Sequence, residues 1–260
     1  LETGWPGKAY DADASQATYT QVLKEGADRL GVVLHVQKER LRNHATADAF
    51  LADALAQQAD GIVLINMDGH VYGVQAMHRI LDQRGDRNLP ILIFVPHGTL
   101  HSNPGVYERF RKARHCFAAA SANVDWLADG LRLLKARWQM AHTRLAVVTG
   151  EATEEKTLDP LGTVLCYTPI QQYVDIYEAT EKSDEVMEIN RLYGSNAKDM
   201  LEPTKEDLFQ AARAYVASRQ LLKETRCHGV TMDCFPHVAR RRRPYIFPPC
   251  LAFMQLLDEG

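Results

Sequence analysis

The stretches GIVLINM (residues 61–67) and ILIFV (residues 91–95, introduced by Pro90) decide how this chain folds. Both are nearly continuous apolar runs rich in β-branched residues, the composition a strand needs when both of its faces are covered. Apolar residues at helical spacing precede each run, over 46–59 and 72–83, and Thr46 stands where a helix cap belongs. Further upstream the same spacing runs from Ala14 to Leu30 and closes at Gly31, after which VVLHV (residues 32–36) reads as one more strand. Alternation of helix and strand predicts a parallel sheet with helices on both faces.

The fold class is therefore α/β: a Rossmann-like, doubly wound domain followed by a second, less regular α/β domain. A Leu- and Ala-rich helix over 124–140 leads into RLAVVTG (residues 144–150), a new apolar strand closed by glycine, so the boundary is placed near residue 143. Residues 1–142 form the first domain and 143–260 the second. In the second, VLCYTPI (164–170) and YVDIYEA (173–179) read as extended, and EVMEINRLY (185–193) reads as helix. A long helix spans 201–225, where Thr204 caps and Asp207 three residues on completes a capping box; GVTMDCF (229–235) is then a buried strand.

The chain has 260 residues, 46% apolar, with a net charge of -3 and a pI of about 6.4, so no global field recruits nucleic acid or an anionic membrane. No run approaches the roughly 20 apolar residues of a membrane span, and the first residues lack the regions of a signal peptide. Five widely spaced cysteines, an odd number, favour reduced thiols. The expectation is a soluble, cytoplasmic protein without nucleic-acid or membrane partners.

Ligands of open α/β sheets bind outside the carboxyl ends of the strands. That rule singles out His70, His97 and His101 after the two first-domain strands, and Asp233 and Cys234 after the last strand. Trp5, beside Pro6 and Gly7, offers a ring on which a sugar could stack. These six residues are the candidate substrate-binding set. Cys227, His228, Cys234, His237 and Cys250 suggest a metal, but their spacing fits no paired ligand pattern and favours ordinary thiols and loop histidines. Arg240, Arg241, Arg242 and Arg243 could serve an anion or simply face solvent. Ser121, His115 and Asp125 have the residue types of a triad without a nucleophile elbow, and no dinucleotide or Walker motif occurs.

Two resemblances follow. ADGIVLINM with LPILIFV resembles the amino-terminal domain of type I sugar-binding proteins and related repressors, which implies a non-catalytic, two-lobed sugar binder. GVTMDCF followed by PPCLAFMQLLDEG, together with WPGKAYDADASQATY (5–19) and ATEKSDEVMEINRLYG (179–194), resembles the L-fucose isomerase family of ketol isomerases. This second resemblance implies aldose–ketose isomerisation of a small-molecule sugar through an enediol, a homo-oligomer (trimer or hexamer), and a manganese ion held by Glu, Asp and His. On the family pattern those ligands lie beyond the position of Asp258, Glu259 and Gly260, so the expectation is a chain truncated before its metal-binding segment, with no manganese ligand and no catalytic residue inside it.

Overall fold

The structure is a computed structural model that describes residues 11–67, 71–85, 89–96, 104–239, 244 and 246–259. It divides into two compact units, Leu1–Trp138 and Gln139–Gly260.

The first unit is built around a parallel three-stranded sheet. Its elements are α1 (Ala12–Leu30), α2 (His44–Ala56), β1 (Ile62–Ile65), α3 (Val71–Arg84), β2 (Ile91–Pro96), α4 (Pro104–Lys112), β3 (Cys116–Ser121) and α5 (Trp126–Ala141), in which the division falls. The sheet order is β1-β2-β3, with Ile62 beside Ile91 and Ile91 beside Cys116. β2 is buried along its whole length because helices cover both faces. Ile91, Ile93 and Val95 pack with Ala47 and Leu51 of α2, Ala76, Met77 and Ile80 of α3, and Phe110 of α4. Phe94 turns the other way, onto Tyr19, Leu23 and Ala27 of α1 and Leu127 and Leu131 of α5.

Helix ends in this unit follow local chemistry. The Asp11 carboxylate accepts from the amides of Asp13 and Ala14 to start α1, and Gly31 at φ 63 ends it in the left-handed conformation that glycine adopts without a steric cost. α2 starts at Asn43, not Thr46. The Asn43 side chain accepts from the Thr46 amide, and the Thr46 hydroxyl accepts in return from the Asn43 amide, so Thr46 is the third residue of a reciprocal capping box.

The first unit also departs from expectation at residues 32–36, which form no strand. The segment is extended in pattern, with Val32 and Leu34 half-buried and Val33 and His35 exposed, yet no ladder joins it to the sheet.

The second unit carries a mixed sheet of order β5-β6-β4-β7, made of β4 (Arg144–Val148), β5 (Glu154–Leu158), β6 (Thr163–Thr168) and β7 (Gly229–Met232). β6, β4 and β7 are parallel, and β5 runs antiparallel on the edge. β5 is exposed throughout and strongly charged, with Glu155 paired to Arg144 and Glu154 to Lys156, the kind of edge that resists pairing with other chains.

Among the described residues the helices of this unit are α6 (Ile170–Ala179), α7 (Asp184–Asn196), α8 (Lys205–Thr225), the short α9 (Phe235–Val238) and α10 (Cys250–Glu259). α8 is the centre of their packing. Its buried stripe is mostly small, Ala211, Ala212, Ala214, Ala217 and Ser218, so α6, α7 and α10 can approach closely. Thr204 and Asp207 form the capping box that the sequence predicts. The segment 173–179, expected to be extended, is helical: Ile170, Tyr173 and Val174 are buried and Tyr177 half-buried, a spacing of three to four that YVDIYEA disguises as alternation. β7 is also shorter and less buried than the expected strand, ending at Met232.

Candidate functional site

Parallel pairing brings the carboxyl ends of β4, β6 and β7 to one edge of the second sheet. Main-chain bonds hold the three exits together. Thr149 N donates to Thr168 O at 3.0 Å, Asp233 N to Val148 O at 3.0 Å, and Ile170 N to Gly150 O at 3.2 Å. Gly150 sits at φ 61, which lets the chain turn away immediately after β4. The edge therefore presents Thr149, Gly150 and Glu151 after β4, Pro169 after β6 over the buried Thr168, and Asp233 and Cys234 after β7.

Asp233 is exposed and Cys234 half-buried. Cys234 starts α9, its carbonyl accepting from His237 N at 3.0 Å and Val238 N at 2.9 Å. Its thiol is held above the ordinary range, first by burial and then by the nearby Cys250 thiol and the Asp233 carboxylate. A thiol raised in this way is a poor nucleophile. Beneath it lies Tyr173, 1% exposed, whose hydroxyl is raised mainly by burial; Ser218, Tyr177 and Cys234 are the groups around it. The edge thus offers an open carboxylate, a protonated thiol and strand-end main chain over a buried tyrosine. These are groups that hold hydroxyls rather than attack carbon.

Of the six candidate residues, Asp233 and Cys234 stand together here, while Trp5, His70, His97 and His101 lie outside the described residues, as do Arg240, Arg241, Arg242 and Arg243. The suspected metal group is split by β7. Cys227 is buried at its amino end with Cys166 and Ala146, and His228 Nδ1 there accepts from Arg144 N at 3.0 Å. Cys234 and His237 follow its carboxyl end, roughly 13 Å away at about 3.3 Å per residue. Ser121 and His115 are likewise parted by the length of β3. Among the described residues no group of three or more His, Cys, Asp and Glu side chains could hold a metal ion.

Sequence reasoning missed a cleft in the first unit, of about 890 Å³, lined by β1, the segment 31–42, Tyr19 and Leu23 of α1, Phe50 and Ala54 of α2, and Leu131 and Trp138 of α5. It lies where the expected strand 32–36 would have paired. The β-branched run of that segment marked it as a strand, and only the pairing partner was out of reach of the sequence.

No protein-family model matches the chain, and no curated protein matches it at a significant level. Among the described residues no helix is long and apolar enough to cross a membrane.

Proposed function

We propose that the chain is the sugar-facing scaffold of an L-fucose isomerase-like ketol isomerase, with a Rossmann-like first domain, working in the cytoplasm as a homo-oligomer on an open-chain sugar. The observation that carries this reading is the order of elements at the end of the second unit: β7, its exit at Asp233 and Cys234, and α10 begun by Cys250. β7 runs into Asp233 and Cys234, Pro248 and Pro249 lead into α10, and Cys250 begins that helix near Cys234, whose thiol it helps to raise. A strand ending in Asp-Cys beside a helix opened by Pro-Pro-Cys is the arrangement on which the resemblance rests.

In the family manganese polarises the carbonyl and hydroxyl of the substrate. The donors here do not fit that ion, since Asp233 is one carboxylate beside a protonated thiol and no third ligand joins them among the described residues. The role left to this edge is orientation: the exposed Asp233 carboxylate accepts from sugar hydroxyls, and the tight exit at Gly150 leaves room for the polyol chain.

Calorimetry with a panel of aldoses, ketoses and alditols, with and without manganese, tests the proposal on the 260-residue chain. Weak binding of open-chain alditols that manganese does not tighten is expected. A metal-independent micromolar affinity for cyclic sugars would replace this reading with that of a two-lobed sugar binder.

A further inference from the structure

In a parallel sheet the N–H and C=O of one residue point to the same side of the strand, and successive residues alternate. Ile62 N donates to Pro90 O and Asn66 N to Phe94 O, both at 2.9 Å, so Ile62, Leu64 and Asn66 turn their main chain toward β2. Val63 and Ile65 then turn theirs outward, into the cleft.

Across the cleft runs the segment 32–36, fixed at both ends. At its start, Val32 N donates to Ala27 O at 2.9 Å and Lys135 Nζ to Leu30 O at 2.6 Å. Past its end, Gln16 Nε2 donates to Lys38 O at 3.0 Å, Arg40 Nε donates to Gln16 Oε1 at 2.9 Å, and Arg40 pairs with Asp13. Between these ties no hydrogen bond reaches β1 among the described residues. The side chains are nonetheless sorted as in a neighbouring strand. Val32 and Leu34 pack against the same cluster as Val63 and Ile65, and Val33 between them, 81% exposed, points the other way by strand alternation, to the face that Leu64 takes on β1.

We infer that residues 32–36 are a strap that closes on β1 as a fourth parallel strand, with Val33 and His35 bonding to the outward N–H and C=O groups of Val63 and Ile65. The face assignment fixes which residues take part. Side chains of paired residues share a face, so those of the strap that bond inward are the ones on the Leu64 face, Val33 and His35. Closure fills the cleft, buries Val33 and satisfies main-chain donors and acceptors of an open edge. The tethers make it an intramolecular event with little chain left to order, which favours this occupant over a peptide from outside. The inference concerns the first unit alone and stands whether or not the chain is an isomerase scaffold.

Amide hydrogen exchange by NMR on the full chain tests it, comparing wild type with Val33→Pro, which removes the Val33 donor, and with Val33→Ala, which keeps it. Val63 and Ile65 amides are expected to be protected in wild type and Val33→Ala, and to exchange at least about tenfold faster in Val33→Pro. Ile62 and Asn66, bonded to β2, report that the sheet stays folded and should not change. Wild-type Val63 and Ile65 exchanging at exposed-loop rates, or unaffected by Val33→Pro, would overturn the inference. Protection that grows with protein concentration would also overturn it, by assigning the edge to a second copy.

Discussion

Tyr215 Oη donates to Glu259 Oε1 at 2.5 Å, tying α8 to the last turn of α10. Burial pushes the Tyr215 hydroxyl up to about 12, with the Glu259 bond adding to it, and burial also lifts Tyr193 to about 12 and Tyr173 further still. These folded values lie above the unfolded one near 10. The stability the groups confer is complete below about pH 10 and is lost as pH rises through about 12. Denaturant midpoints should therefore fall between pH 9 and pH 11.5. Tyr215→Phe should lower stability at pH 7 by about 1 kcal/mol and make that fall shallower. Equal midpoints at the two pH values would contradict this account of the core.

Gly130 on α5 sits directly over β2, and a Cβ there would meet Leu92 Cδ2 at 2.3 Å. Leu92 is fully buried. Gly130→Ala should gain about 1 kcal/mol of helix propensity and lose about 1 to 3 kcal/mol to overpacking, for a net loss in chemical denaturation. A stabilised variant would mean that α5 stands further from the sheet than described.

The thiols should react in order of exposure. Cys250 is exposed, whereas Cys166 and Cys227 are buried side by side. Burial, and then the Cys227 thiol beside it, raise Cys166 above the ordinary thiol range. A thiol reagent at pH 8, followed by mass spectrometry, should label Cys250 first and Cys166 only after unfolding. Native labelling of Cys166 at the rate of Cys250 would refute the packing of Cys166 with Cys227 and Ala146.

How much of this was legible beforehand depended on whether the signal was local. β1 and β2 announce themselves because doubly covered strands have to be apolar throughout, and α8 because Thr204 and Asp207 cap it with their own side chains. β3 was missed because CFAAAS, an alanine-rich edge strand, carries little β propensity, and the charged β5 has no buried face to betray it. In YVDIYEA two periods compete over seven residues, and packing of Tyr173 and Val174 in the core chose the helix. The position of Asp233 and Cys234 followed from strand-end logic. The cleft did not, because whether residues 32–36 pair with β1 is decided by main-chain contacts some thirty residues apart, which no local pattern encodes.

The central claim is that the carboxyl edge of β4, β6 and β7 faces an open-chain sugar. Amide shift mapping with a millimolar alditol tests it most directly. The account predicts perturbations confined to Thr149, Gly150, Glu151, Thr168, Asp233 and Cys234, and diminished by Asp233→Asn. Perturbations confined to β1 and residues 32–42, or none anywhere, would contradict it.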